Sequence, residues 1–161
     1  MLHLLEIIYE FQLLRANEAC LQITLDDEER ARLAGLERLL KGEEIDSRRQ
    51  MPRVPTPLPV QFTLPGGFGS GEIRNISGSG LAVLTAHPSE IGTRSVVRLS
   101  EPTFGSEYFF PTRTVWSRTR GLTAMGLAFD GVPTASIAHG SRLTWRRSFP
   151  LGGARQTQMI A

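Results

Sequence analysis

The spacing of hydrophobic and polar positions changes along the chain, from three and four residues at the start to two residues in the second half. Residues 2–22 carry apolar side chains at alternating spacings of three and four, which predicts an amphipathic helix. The apolar seam of this helix is formed by Leu4, Ile7, Phe11, Leu14 and Leu21. A short helix is marginal in water by itself, so the seam requires an apolar surface to pack against.

A second helix is predicted directly after the first. Thr24 is a suitable N-cap, Asp27 stands at the capping-box position, and Gly42 ends the helical pattern. The apolar stripe of this helix consists of Leu25, Leu33, Leu36 and Leu40. Two interpretations of residues 1–47 remain open. They form either a helical hairpin that packs on itself or on the rest of the chain, or an element for dimerisation or partner docking.

The chain from Glu43 to Pro57 is polar and punctuated by prolines, which predicts an extended arm. Beyond the arm, apolar and polar residues alternate, and glycine-rich turns separate the alternating runs. Six strands are predicted, over residues 58–64, 71–77, 80–86, 93–100, 107–118 and 122–130. Six short strands without intervening helices indicate a mainly β antiparallel barrel or sandwich. A short helix is predicted over residues 134–147 and a flexible tail over 148–161.

The charges are distributed unevenly between the two parts of the chain. Residues 1–47 carry 5 basic and 11 acidic side chains, whereas residues 48–161 carry 13 arginines, no lysine and 5 acidic side chains. Arginine presents a planar fork that pairs with phosphate and with the Hoogsteen edge of guanine. The second part of the chain therefore suggests an anionic ligand, but a genome rich in G and C also favours arginine codons, so composition alone does not decide between the two.

The sequence also bears on compartment and on metal binding. The single cysteine, Cys20, excludes an internal disulfide and is expected to be a buried thiol in a reducing compartment. The N-terminus lacks the basic region and cleavage site of a signal peptide, and no segment reaches the ~20 apolar residues of a membrane-spanning helix. We therefore expect a cytoplasmic protein without a membrane partner. The three histidines are far apart in the sequence, and no metal site is predicted.

Two short motifs stand out in the second part of the chain. Residues 49–53 read R-x-x-x-R, with Arg48 directly before them, and residues 75–80 read N-x-S-x-x-G between two predicted strands. Alone, the first motif is typical of a solvated arm, and the second is typical of a β-turn in which Asn and Ser bond the backbone. On a later strand, Trp116 and Arg118 are interpreted as a core residue and a surface residue, and the alternative for Arg118 is contact with a bound ligand.

Together, in this order and at these places relative to the strands, the motifs make residues 48–130 resemble the PilZ family. Gly126-Leu127-Ala128-Phe129 is similar to the closing G-x-x-F strand of that family. The resemblance implies a six-stranded antiparallel PilZ β-barrel over residues 48–147, behind the helical segment 1–47. It also implies binding of cyclic di-GMP. The implied ligand-binding residues are Arg48, Arg49, Arg53, Asn75, Ser77, Gly78 and Gly80.

The resemblance assigns a role to most of these residues. Arg49 and Arg53 would supply forks to guanine and phosphate, Asn75 and Ser77 would contact the ligand from the barrel rim, and Gly80 would shape the turn. Asn75 replaces the more frequent Asp and gives up the charge-assisted part of that bond, which implies lower affinity. Arg48 resembles the arginine of PilZ proteins that take two stacked ligands.

The function expected from the sequence is therefore that of a bacterial, non-enzymatic cyclic di-GMP receptor without a cofactor. Ligand binding would order the arm, rearrange the helices and signal to a partner protein, or to a second copy of the chain, through the N-terminal helices. One alternative is a PilZ-like adaptor that binds proteins and no nucleotide. Another is a nucleic-acid-binding barrel, but this requires an aromatic stacking surface, and only 7% of the residues are aromatic.

Overall fold

The computed structural model describes residues 2–41, 53–101, 105–139 and 142–146. Two helices come first, α1 (Leu2–Ala19) and α2 (Asp27–Lys41). Within the described residues, nine strands follow them: β1 (Val54–Pro55), β2 (Pro59–Leu64), β3 (Gly67–Ser77), β4 (Gly80–Leu84), β5 (Arg94–Glu101), β6 (Ser106–Arg118), β7 (Ala124–Phe129), β8 (Thr134–His139) and β9 (Arg142–Arg146). The predicted tail and most of the predicted arm lie outside the described residues.

Six of the strands form a closed antiparallel barrel, which confirms the predicted fold class. The strands are hydrogen-bonded in the order β5-β2-β3-β4-β7-β6, and pairing of β5 with β6 closes the circle. Alternate side chains point inward because successive residues of a strand face opposite sides. The fully buried interior side chains are Val60, Phe62, Ile73, Ile76, Val83, Val97, Leu99, Phe110 and Met125.

The predicted helix over residues 134–147 is wrong, because the described part of this segment forms the hairpin β8–β9. Strand β6 has 13 residues, and β7 pairs only with its second half, from Thr112 to Arg118. In the first half of β6, the edge that would face β7 would otherwise have unpaired backbone donors and acceptors. Strand β8 pairs with Ser106–Phe109 and satisfies these groups.

Helix α1 packs against one end of the barrel. Leu5, Ile8 and Phe11 are at most 2% exposed and belong to the same apolar cluster as the barrel interior. The ring of Tyr9 lies 5.6 Å from that of Tyr108, near the start of β6. Helix α1 therefore packs on the barrel of its own chain, and the role of residues 1–47 in dimerisation or partner docking stays a prediction.

The buried surface of α1 is broader than the predicted seam. Leu5 and Ile8 are more deeply buried than Leu4 and Ile7, which are only partly buried, and Leu21 lies beyond the helix and is 47% exposed. The predicted burial of Cys20 is also wrong, because this thiol is exposed. A helix that contacts both the barrel and α2 is apolar on more than one face, and a single-seam pattern cannot describe it.

Helix α2 begins with a capping box two residues later than predicted. The Asp26 carboxylate accepts a hydrogen bond from the Glu29 N–H at 2.7 Å, and the Glu29 carboxylate accepts one from the Asp26 N–H at 3.1 Å. The predicted stripe is confirmed, because Leu25 and Leu40 are buried, and Leu33 and Leu36 pack against the core.

An ion pair between Arg32 and Glu10 joins α2 to α1. The hydrogen bond from Arg32 to the Glu10 carboxylate raises the pKa of this guanidinium above its ordinary value. Within the described residues, neither helix has the length and apolar character needed to cross a membrane.

Candidate functional site

The N-x-S-x-x-G motif forms the tight turn between β3 and β4. Ser77 and Gly80 face each other as the last pair of these two strands. The Ser77 Oγ accepts a hydrogen bond from the Ser79 N–H at 3.3 Å and lies 3.3 Å from the Gly80 carbonyl oxygen, to which it can donate. The serine hydroxyl therefore braces the turn, as expected for a serine at this place.

Two β-bulges determine which side chains face outward next to this turn. On β3 the register shifts between Ile73 and Asn75, so that Ile73 and Ile76 both point into the barrel and Asn75 points out. On β6 the register shifts between Thr114 and Trp116. Thr114 is buried, whereas Trp116 is only half-buried and lies opposite Gly126.

Near the N-x-S-x-x-G turn, strands β4 and β7 carry only small residues on their outer face. Gly80 and Ala82 on β4 pair with Ala128 and Gly126 on β7. Their neighbours Leu81 and Leu127 belong to the core, so these four residues face the outside of the barrel. They form a flat floor without a projecting side chain.

Trp116 stands at one side of this floor. A Cβ atom added to Gly126 would overlap the indole ring, which shows that the ring lies directly over this glycine. A Cβ atom at Gly80 would overlap the carbonyl oxygen of Leu127, so glycine is required there for the close approach of β4 and β7.

Arg53 stands at the opposite side of the floor. Strand β1 pairs Val54 with Ile76 and Pro55 with Asn75, and the same register places Arg53 opposite Ser77. The side chain of Arg53 is exposed. The short strand β1 thus brings the last residue of the R-x-x-x-R motif to the N-x-S-x-x-G turn.

These groups surround a surface cleft of about 270 Å³. The residues that line it are Arg53, Ser77, Ser79, Gly80, Leu81, Val115, Trp116, Gly126, Leu127 and Ala128. Arg53 is the one charged residue among them. The cleft therefore combines a cation, serine hydroxyls and an aromatic ring, a combination suited to an anionic ligand with a planar aromatic group.

Asn75 lies in the same hydrogen-bonded row as Ala82, Gly126 and Trp116. Its side-chain oxygen is buried and has no hydrogen-bond partner among the described residues. Because a buried acceptor without a partner costs free energy, this oxygen is suited to receive an N–H donor.

The structure brings together some of the predicted site residues. Arg53, Ser77 and Gly80 line one cleft, and Asn75 lies in the adjacent row. Gly78 is buried and does not line the cleft, and its carbonyl faces α1. Arg48 and Arg49 lie outside the described residues. Arg118 donates from Nε to the Leu122 carbonyl at 2.8 Å and is not part of the cleft.

Trp116 and Ser79 were not among the residues predicted for the site. The prediction that Trp116 belongs to the core is wrong, because the bulge before it reverses the inward and outward positions of β6. One signal was present in the sequence, since Gly126 interrupts a strand whose other outer positions carry alanine. Among the described residues, no three His, Cys, Asp or Glu side chains are grouped as metal ligands.

Comparisons with known proteins agree with the motifs. The family model for the PilZ domain matches residues 47–144, which is more than half of the chain. One similar solved structure is the PilZ domain of CeSA from a cellulose-synthesizing bacterium, with 22% sequence identity and a TM-score of 0.41. The similarity covers 48% of this chain and 79% of that chain. No match is found among curated proteins.

Proposed function

Since this chain belongs to the PilZ family, we propose that it is a receptor that binds cyclic di-GMP at the cleft between Arg53 and Trp116. The observation that carries the proposal is the position of these two side chains on opposite sides of a flat floor, beside the N-x-S-x-x-G turn. Cyclic di-GMP has two guanine bases and two phosphodiester charges, and the cleft offers a group suited to each.

The guanine base is expected to lie on the floor against Trp116. Gly80 and Ala128 leave room for a planar ring beside the indole of Trp116, which covers Gly126 and provides an aromatic face for stacking. The buried oxygen of Asn75 would accept a hydrogen bond from the guanine N1–H or N2–H. Arg53 would pair with a phosphate or with the Hoogsteen edge of guanine.

The receptor is expected to act by binding alone, in a cytoplasmic setting, and to pass the signal to a partner protein. Binding would bring the part of the arm before Arg53, with Arg48 and Arg49, onto the cleft. Moving α1 away would expose Ile8 and Phe11, which are at most 2% exposed, so we expect the response in the arm and α2 rather than in α1. We therefore expect a partner to bind the exposed surface of α2.

Calorimetric titration of the full chain with cyclic di-GMP, GMP and single-stranded DNA, at physiological salt, tests the proposal. We expect cyclic di-GMP to bind with a Kd of about 1 μM, which corresponds to about −8 kcal/mol, and the other two to bind far more weakly. Absence of binding by all three would support the adaptor alternative. Preference for DNA would support the nucleic-acid alternative.

Trp116→Ala should weaken cyclic di-GMP binding about tenfold, because stacking of one base on an aromatic ring contributes roughly 1–3 kcal/mol. Trp116→Phe keeps an aromatic face and should retain most of the affinity. Val115→Ala is the matched control, since Val115 also lines the cleft but offers no ring. Equal affinities of Trp116→Ala and the wild-type chain would show that the base does not stack on this residue.

Arg48 is proposed to determine how many ligands bind. Two stacked cyclic di-GMP molecules bring four phosphodiester charges together, and a third arginine beside Arg49 would offset that repulsion. We expect calorimetry to give two nucleotides per wild-type chain and one per Arg48→Leu chain. A wild-type stoichiometry of one at saturating ligand would contradict this assignment.

A further inference from the structure

We propose that Gln12 of α1 is a positioning residue for the cyclic di-GMP site, although it lies outside the part of the chain that matches the PilZ family. The side-chain amide of Gln12 donates a hydrogen bond from Nε2 to the carbonyl oxygen of Gly78. Gln12 is 7% exposed and Gly78 is also buried, so water does not readily replace this bond. The inference deepens the proposed function and rests on it.

The hydrogen bond from Gln12 acts on the peptide unit that joins Gly78 to Ser79 in the turn. The carbonyl of Gly78 and the N–H of Ser79 belong to one planar peptide unit, and the two groups point in opposite directions. The carbonyl is held by Gln12, and the N–H donates to Ser77 Oγ at 3.3 Å. The helix and the cleft therefore bind opposite edges of the same peptide plane.

Without Gln12, this peptide plane has less to prevent it from rotating. Gly78 has no side chain, so rotation of the peptide between residues 78 and 79 meets little steric resistance. Rotation would bring the Gly78 carbonyl to a new partner and would remove the Ser79 N–H from the Ser77 hydroxyl. Ser77 and Ser79 both line the cleft, so the site would lose its preformed shape.

Gln12→Met tests the proposal, because methionine has a similar volume and flexibility but no amide donor. Two measurements are made on the full chain. The first is hydrogen exchange of the Ser79 amide by NMR without ligand, with the Val83 amide in β4 as reference. The second is the Kd for cyclic di-GMP by calorimetry. We expect Ser79 exchange to accelerate and Val83 exchange to stay unchanged. We also expect the Kd to rise about tenfold, because the buried Gly78 carbonyl loses its partner and the site loses its preformed shape.

Ile8→Val is the control for general loosening of the helix. Ile8 is fully buried on α1 and loses one methylene in this variant. If Ile8→Val lowers the thermal midpoint as much as Gln12→Met does but leaves the Kd and Ser79 exchange unchanged, the effect belongs to the Gln12 contact. If it weakens binding equally, or if Gln12→Met leaves Ser79 exchange unchanged, the proposal is overturned.

The two measurements also separate this inference from the proposed function. If the wild-type chain binds no cyclic di-GMP but Gln12→Met still accelerates Ser79 exchange, the contact positions the turn and the ligand assignment falls. If the wild-type chain binds cyclic di-GMP and Gln12→Met binds it equally well, the ligand assignment is supported and the role of Gln12 in the site is contradicted.

Discussion

Alanine in place of Phe11 is expected to lower the free energy of unfolding of the whole chain by about 3–5 kcal/mol. Phe11 is 2% exposed and lies in one apolar cluster with the barrel interior, so its removal leaves a cavity where α1 meets the barrel. Chemical denaturation followed by circular dichroism in the far and near ultraviolet measures the change. Both signals should shift together, because helix and barrel share one core.

Leu21→Ala is the matched control for this substitution. The spacing of apolar residues in the sequence places Leu21 on the same seam as Phe11, whereas the structure leaves it 47% exposed. The control should change stability by no more than about 0.5 kcal/mol. If Phe11→Ala left stability unaltered and instead converted a dimer into a monomer, the apolar surface of α1 would belong to an interface between chains.

Arg53→Ala is expected to weaken cyclic di-GMP binding about 30-fold, or roughly 2 kcal/mol, while the barrel stays folded. Arg53 is exposed at the side of the cleft and contributes little to the core. Arg49→Ala should have a similar effect if the R-x-x-x-R motif acts as a unit. Arg53→Lys should fall between the wild type and alanine, because lysine keeps the charge but not the fork.

Arg120→Ala provides the control for lost positive charge. Arg120 is exposed in the connection between β6 and β7, at the other end of the barrel from the N-x-S-x-x-G turn. Its removal lowers the net charge by the same amount and should leave the Kd unchanged. Equal losses in Arg53→Ala and Arg120→Ala would mean that only overall charge attracts the nucleotide. Unchanged affinity in both Arg49→Ala and Arg53→Ala would contradict the assignment of the arm.

The sequence predicts the barrel because apolar and polar residues alternate along its strands, and this alternation can be seen within each short segment. Val60 and Phe62 share the inner face of β2, and Met125 and Leu127 share that of β7. The hairpin β8–β9 was mistaken for a helix because its formation depends on the unpaired edge of β6, which is a property of the assembled sheet. The spacing of residues within 134–147 contains no information on the length of β6.

The two bulges explain why the site was harder to predict than the fold. Strict alternation would place Asn75 on the side of Ile73, and Trp116 on the side of Thr114, and both would then be inside the barrel. One extra residue on each strand reverses these positions. The resemblance to the PilZ family predicts Asn75 as a site residue all the same, because Asn75 belongs to the N-x-S-x-x-G motif. Trp116 has no such motif and was assigned to the core.

The contact between Gln12 and Gly78 also could not be predicted from the sequence. The two residues are separated by 66 positions, and nothing in the composition of α1 distinguishes Gln12 from a solvent-exposed residue. A polar residue amid the apolar residues of a helix becomes informative only when the carbonyl it faces is known.

The position of α1 in the chain has a consequence for how the protein is made. During synthesis α1 leaves the ribosome before the strands of the barrel, but Tyr108, against which Tyr9 packs, belongs to β6. Because synthesis adds about 5–20 residues per second, the surface that buries the helix is completed several seconds after the helix. Throughout that time Leu5, Ile8 and Phe11 are exposed on an unfinished chain. Chaperones that bind short apolar segments should therefore engage the nascent protein at α1 and release it once β6 has joined the barrel.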